Sequence, residues 1–279
     1  MPARLSHLTT VESLTPELSN ELLDKADELL ELTRQPIVKL ADLRGKTIIN
    51  VFYEASTRTR TSFELAGKRL GADVVNIGGS ASSTSKGETL RDTVKTLDAM
   101  HADAIVIRHP ASGAADYVAK HTRAAVINAG DGMHEHPTQA LLDALTIRRH
   151  RGKDFRGLTV AILGDVLHSR VARSNAKLLR MLGAQVRLAG PLTLLPRDAE
   201  ALGCPQFDRV EPALEGVDVV MMLRIQRERL GAALFPSLRE YSRVFGLNAS
   251  RLALAKPNAL VMHPGPLNRG VEISEDIAD

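Results

Sequence analysis

Residues 47–53 read Thr-Ile-Ile-Asn-Val-Phe-Tyr, residues 54–60 follow as Glu-Ala-Ser-Thr-Arg-Thr-Arg, and residues 61–70 as Thr-Ser-Phe-Glu-Leu-Ala-Gly-Lys-Arg-Leu. The first run is β-branched and aromatic and predicts a strand; the last predicts a helix. A strand passing through a short polar turn into a helix is the unit from which parallel α/β sheets are built. The same alternation recurs along the chain. Further strands are expected at Val74–Ile77, Ala104–Arg108 and Ala125–Asn128, then at Leu158–Leu163, Gln185–Ala189, Val217–Leu223 and Ala259–Met262. Helices are expected at Gly87–His101, Pro137–His150 and Ser169–Leu182, and an earlier one begins with Thr15 as N-cap and Pro16 just inside. That first helix carries Leu18, Leu22, Leu29 and Leu30 as its apolar stripe. Two groups of strands, parted by the polar stretch His150–Gly157, predict two domains, 1–149 and 150–279.

The bulk composition narrows the functional classes. At 279 residues, 44% hydrophobic and 25% charged, the chain is an ordinary globular protein with room for two α/β cores. A single cysteine, Cys204, rules out an internal disulfide framework or a Cys-based zinc site and fits a reducing cytoplasm. The first ten residues lack a signal-peptide pattern, and the longest apolar runs are strand-sized, so no membrane span is expected. A net charge of +3 suits anionic small substrates. With no Trp, 3% aromatics and dispersed arginines, nucleic acid is a poor candidate partner.

The turn after Tyr53 has the chemistry of an anion trap. Backbone N–H groups at a helix start point outward, and the helix dipole favours negative charge there. Ser56, Thr57 and Thr59 add hydroxyl donors, and Arg58 and Arg60 add charge with forked geometry. The plainer alternative is that Ser56 or Thr57 caps the helix and the arginines are solvated. Arg108 stands at another strand end, where open α/β sheets place ligands. After the strand at Ala125–Asn128, Pro137 fits the first helical position, which leaves His136 outside the helix and Gln139 in its first turn. A neutral imidazole there can donate to an oxygen gaining charge, and the Gln139 amide oxygen can accept from an NH2 group. His134 and His136 also form an His-x-His pair, a weak metal signal against the alternative of capping and packing.

Ser-Thr-Arg-Thr-Arg after a strand, followed later by His-Pro-Thr-Gln, resembles the two signatures of the aspartate/ornithine carbamoyltransferase family. The resemblance runs from about Leu43 to Ile273 in five motifs, in the family's order. It implies two Rossmann-like domains with the active site in the cleft between them, and Ser56, Thr57, Arg58 and Thr59 around the phosphate of carbamoyl phosphate. Thr59, Arg108 and His136 would face the carbamoyl oxygen, with Gln139 on its NH2 group; Arg60 and His134 would be structural. For the second substrate it points to Arg170, to Arg224 and Gln226 within R-x-Q-x-x-R, and to the backbone of Gly265 and Pro266 in His-Pro-Gly-Pro. Relatives often carry Leu where Gly265 stands, and Gly265–Pro266 is a candidate cis bond. The R-x-Q-x-x-R spacing favours L-aspartate over ornithine as acceptor. Gly164 alone, without G-x-G-x-x-G, makes a dinucleotide site a weak alternative.

The family pattern further implies a homotrimer in which Ser82 and Lys86, from the loop GGSASSTSK, enter a neighbouring subunit's site. No metal, organic cofactor or covalent intermediate is implied; catalysis would rest on Arg58, Thr59, Lys86, Arg108 and His136. A regulatory or dihydroorotase-like partner is compatible with this picture. The alternatives are an ornithine or other amino-acid carbamoyltransferase, or a catalytically silent scaffold. Relatives continue past the GVEIS segment into a helix that returns to the first domain. Its lack here is expected to expose the Leu18, Leu22 and Leu29 face and to weaken stability and aspartate binding.

Overall fold

The computed structural model describes residues 5–35, 39–78, 88–197, 202–225 and 237–279, which form two compact units meeting in sequence between Leu141 and Leu142. That division falls within one helix, Pro137–Arg151.

In the N-terminal unit, strands β1 (Thr47–Phe52), β2 (Asp73–Gly78), β3 (Ala104–His109) and β4 (Ala125–Asp131) form one parallel sheet in the order β2-β1-β3-β4. Helix α1 (Pro16–Thr33) opens as expected: Thr15 Oγ1 accepts from Leu18 N at 3.2 Å, with Pro16 in the first turn. Its stripe is only half covered. Leu23 is buried, whereas Leu18, Leu22, Leu29 and Leu30 are half-buried. Helices α2 (Thr57–Arg69), α3 (Leu90–Ala99), α4 (Ala114–Ala119) and α5 (Pro137–Arg151) complete the order. Ile49, Val51, Ile105, Ile107 and Val126 pack with Val94, Leu97 and Val118 on one face of the sheet. Phe52, Val106 and Ala129 pack with Phe63 on the other. Apolar residues on consecutive strand positions are what a sheet covered on both faces requires.

In the C-terminal unit, β5 (Thr159–Leu163), β6 (Gln185–Ala189), β7 (Gln206–Phe207), β8 (Val219–Met222) and β9 (Leu260–Met262) form a parallel sheet in the order β7-β6-β5-β8-β9. Helices α6 (Arg170–Met181), α7 (Val210–Leu214), α8 (Leu238–Phe245), α9 (Ala249–Leu252) and α10 (Glu275–Ala278) belong to it. Ala161, Leu163, Val220 and Met222 pack against Val210, Ala213 and Leu214. No helix among the described residues is long and apolar enough to cross a membrane.

Each sheet reverses its winding once, between β1 and β3 in the first and between β5 and β8 in the second. At such a point the loops leaving the two strands part to opposite faces and open a crevice at their carboxyl ends.

Candidate active site

At the first crevice, the chain leaves β1 through Tyr53-Glu54-Ala55 and enters α2 at Thr57. The helix therefore starts four residues before the expected Thr61. Thr57, Arg58 and Thr59 occupy its first turn, where backbone N–H groups have no carbonyl one turn back. Ser56 holds the N-cap position in an extended conformation, but its side chain makes no capping hydrogen bond. Its hydroxyl is thus not committed to the plain capping role. Thr57 and Arg58 are exposed, and Ser56 and Thr59 are half-buried.

Beside this turn, Arg108 sits one residue before the end of β3, paired across the sheet with Phe52. Its Nε donates to Glu54 Oε2 at 3.1 Å, and a terminal nitrogen donates to the Ala129 carbonyl at 3.4 Å. Both partners of the ion pair are less than a fifth exposed, so the guanidinium is held between the ends of β1 and β4. The neighbouring His109 accepts from Ala111 N through Nδ1 at 2.9 Å and packs edge-on against Tyr53. Burial lowers its pKa, which disfavours a second cation next to Arg108.

The end of β4 is organised by Asp131, which is almost fully buried. Its Oδ1 accepts from Asn128 Nδ2 at 2.8 Å and Glu135 N at 3.1 Å; its Oδ2 accepts from Gly113 N at 2.7 Å and His134 Nδ1 at 3.1 Å. Burial by itself would raise this carboxyl's pKa, but the donors, His134 and Asn128 foremost, outweigh it and hold it below the usual range. His134 is raised in turn, chiefly by its bond to Asp131. Its ring is thus engaged as a structural brace. Buried His136 follows, and its carbonyl accepts from Gln139 N and Ala140 N at 3.0 and 3.2 Å. This places His136 at the mouth of α5 and Gln139 in its first turn. Ser56–Thr59, Arg108, His136 and Gln139 thus lie at the carboxyl ends of three adjacent strands of one sheet. A cleft of about 730 Å³ in the same unit, lined by Thr89, Arg91, His109, Ser112 and Tyr117, includes none of them.

The second crevice lies in the C-terminal unit. Gly164 follows β5 at φ +128°, and a Cβ there would stand 3.1 Å from Leu223 and 3.3 Å from the Tyr241 hydroxyl, so only glycine fits. Asp165 Oδ1 accepts from the backbone and ring nitrogens of His168 at 3.1 and 2.9 Å, which folds the turn. Ser169 then caps α6 by accepting from Ala172 N. Arg170 is the first helical residue, buried to 5% exposure. Arg224 stands two residues past β8 and is half-buried. Gly265 has φ +62°, and the Gly265–Pro266 bond is cis. Ser82, Lys86 and Gln226 lie outside the described residues. Glu54, Asp131, Asp165 and Glu272, the acids that hold these side chains and loops, were not singled out from sequence. Each reads locally as an ordinary surface acid.

Residues 6–149 match the family described as aspartate/ornithine carbamoyltransferase, carbamoyl-P binding domain, and residues 156–279 match its Asp/Orn binding domain. The chain belongs to the aspartate/ornithine carbamoyltransferase family. It is 64% identical to the aspartate carbamoyltransferase catalytic subunit of Sorangium cellulosum over 98% of this chain and 85% of that one. It is 62% identical to the subunit of the same name from Granulibacter bethesdensis, over 98% and 86%. Among solved structures, the aspartate transcarbamoylase of Trypanosoma cruzi in complex with carbamoyl phosphate and aspartate superposes with a TM-score of 0.85 at 32% identity, covering 99% of this chain and 89% of that one. An ornithine carbamoyltransferase from Thermus thermophilus gives 0.84 at 27% identity, over 97% and 89%. Both branches of the family therefore share this fold, and sequence separates them.

Proposed function

We propose that the chain transfers the carbamoyl group of carbamoyl phosphate to the amino group of L-aspartate, giving N-carbamoyl-L-aspartate and phosphate in de novo pyrimidine biosynthesis. The observation that carries this choice is the 64% identity, over nearly the whole chain, to a subunit named for aspartate, against 27% to an ornithine enzyme of almost equal structural similarity. The R-x-Q-x-x-R run from Arg224 agrees with it.

In this mechanism the first unit receives carbamoyl phosphate. The N–H groups of the first turn of α2, with Ser56, Thr57 and Thr59, surround the phosphate, and Arg58 supplies full charge against it. Arg108 exchanges part of its contact with Glu54 for the phosphate and carbamoyl oxygen. As the amine adds to the carbonyl carbon, negative charge grows on that oxygen. Thr59, Arg108 and His136 donate to it, and such donors are worth most where the charge develops. Gln139 accepts from the carbamoyl NH2 group and fixes its rotation. The second unit holds aspartate: Arg170, Arg224 and Gln226 take the carboxylates, and the carbonyls of the Gly265–Pro266 loop accept from the amine. Holding both substrates supplies most of the catalysis, because phosphate leaves readily once its charge is neutralised. The departing phosphate takes the amine proton.

The proposal includes a cytoplasmic homotrimer in which Ser82 and Lys86 of one subunit complete the site of the next. Supplied with carbamoyl phosphate and either L-aspartate or L-ornithine, the purified chain should carbamoylate only aspartate; ornithine turnover at a comparable rate overturns the assignment. Mixing Lys86→Ala with Arg58→Ala trimers and exchanging subunits should restore activity. Hybrids verified by native mass yet still inactive would exclude the shared site.

A further inference from the structure

We propose that Glu272 is a positioning residue for the acceptor amino acid, tying together the two strand ends that hold it. This role presupposes the aspartate-binding function proposed above. The last backbone pair between β8 and β9 joins Met221 to Met262. Beyond that pair the two chains diverge, β8 into Arg224 and β9 into His263–Asn268, and side chains take over the connection.

Glu272 is fully buried and its carboxylate collects three donors. Oε1 accepts from His263 Nε2 at 3.1 Å and from the backbone N of Asn268 at 2.6 Å, and Oε2 accepts from Asn268 Nδ2 at 3.1 Å. The His263 tautomer is set from the other side. Its Nδ1 accepts from Gly265 N at 2.8 Å, so its Nε2 carries the proton that points to Glu272. One carboxylate thus closes the His263–Asn268 loop at both ends, with Gly265 and Pro266 between them. The same Asn268 amide donates to the Ile225 carbonyl at 3.1 Å, next to Arg224. Glu272 is in turn fixed to the body of the unit, since its own carbonyl accepts from Leu247 N at 2.9 Å.

The chain Glu272–Asn268–Ile225 therefore sets the spacing between Arg224 and the carbonyls of the Gly265–Pro266 loop. A buried carboxylate adds little net stability over a well-packed apolar residue, because desolvation offsets its attractions. What it adds here is a fixed geometry. An amino acid with two carboxylates needs its amine and its anionic groups held at one separation, and a site pre-organised at that separation spares the cost of ordering its own groups on binding.

The test is steady-state kinetics on the full chain with Asn268→Ala, Glu272→Gln and the double variant, alongside Arg269→Ala, whose exposed side chain pairs with Asp279. Asn268→Ala should raise the aspartate KM at least fivefold, leave the carbamoyl phosphate KM within twofold and leave kcat within about threefold. Glu272→Gln should do the same, the double variant should be no worse than the worse single, and Arg269→Ala should match wild type. Asn268→Ala is the safer variant to fold, because its side chain is only partly buried. An aspartate KM within twofold of wild type in folded Asn268→Ala overturns the role, as do equal rises in both KM values, the signature of a general structural lesion. A wild-type chain that fails to carbamoylate aspartate overturns the function itself, before any variant is made.

Discussion

In the N-terminal unit four of the candidate carbamoyl phosphate ligands, Ser56, Thr57, Arg58 and Thr59, are consecutive residues on one helix start, with Arg108, His136 and Gln139 at neighbouring strand ends, and Arg58 and Thr57 are exposed. In the C-terminal unit the candidate aspartate ligands come from three separate strand ends, Arg170 is buried, and buried acids brace the turn before Arg170 and the loop carrying Gly265 and Pro266. The difference follows from the ligands. A phosphate is compact and nearly symmetric, so one helix terminus with its backbone donors recognises it. An amino acid with two carboxylates and an amine is asymmetric, and recognising it needs groups fixed relative to one another from distant points of the chain. Most of the proposed phosphate contacts are thus local, whereas the proposed amino-acid contacts are spread over distant points of the chain.

The largest effect should come from the local half. Arg58→Ala removes a full charge from the leaving phosphate and should lower kcat about 10²–10³-fold, about 2.7–4 kcal/mol, with the melting temperature unchanged because the side chain is exposed. A loss below about tenfold would mean that the backbone donors suffice and that Arg58 is a bystander.

Arg224→Ala probes the distributed half. The aspartate KM should rise between about tenfold and a hundredfold, about 1.4–2.8 kcal/mol, while the carbamoyl phosphate KM stays put. Equal rises for both substrates would place Arg224 outside the amino-acid site and erase the contrast between the halves.

The same contrast explains how much could be read from sequence. The strand runs stood out because covered parallel strands are continuously apolar, and all eight expected strand positions are strands in the structure. The phosphate motif stood out because its residues are adjacent. The start of α2 was read four residues late, since threonines favour turns and caps by local propensity and tertiary context overrode that here. The short elements α4, α7 and β7 went unread because so few residues carry no periodicity. In the second half, Arg224 and Gly265 entered through the family resemblance, and the acids beneath them did not enter at all. Glu272, in Gly-Val-Glu-Ile-Ser, has no local mark that sets it apart from a solvated glutamate. Only the fold brings His263 and Asn268 to it.

If the second half depends on packing, a lesion far from any ligand should reach aspartate. Gly190 follows β6, and a Cβ there would clash with the Gly164 carbonyl oxygen, backbone against backbone with no side chain able to move aside. Gly190→Ala must push apart the ends of β5 and β6, at a cost of about 1–3 kcal/mol of stability. Gly164 leads directly into the Asp165–Arg170 turn, so the aspartate KM should rise along with the loss of stability. The carbamoyl phosphate KM, governed by the other unit, should not follow. A destabilised Gly190→Ala enzyme with an unchanged aspartate KM would show that the second half-site is as self-contained as the first.

The smallest effect belongs to a buried acid of the first unit, Asp131, in its pair with His134 beside His136. His134 has its pKa raised in the folded protein, so its proton binds more tightly there than in the unfolded chain. That contribution is complete below about pH 6.5, the unfolded value, and is lost as pH rises through the higher folded value. Asp131 runs the other way: its pKa is lowered, and its contribution fails only as pH falls below the usual carboxylate range. Between about pH 6 and 8 the histidine alone should matter. The effect stays below about 1 kcal/mol, because His134 is 29% exposed and a neutral ring still donates to Asp131 when the charge has gone. Melting curves of wild type and His134→Asn across that range should therefore converge as pH rises, the wild type being ahead by at most about 2–4 °C at the acidic end. The catalytic constants should change little, since Asn128, Gly113 and Glu135 still hold Asp131 in place. Parallel curves would show that the charge on His134 adds nothing and that the brace is a matter of hydrogen bonding alone. A large fall in kcat with unchanged melting would instead move His134 from support into the chemistry, and the first half-site would prove less local than its sequence suggests.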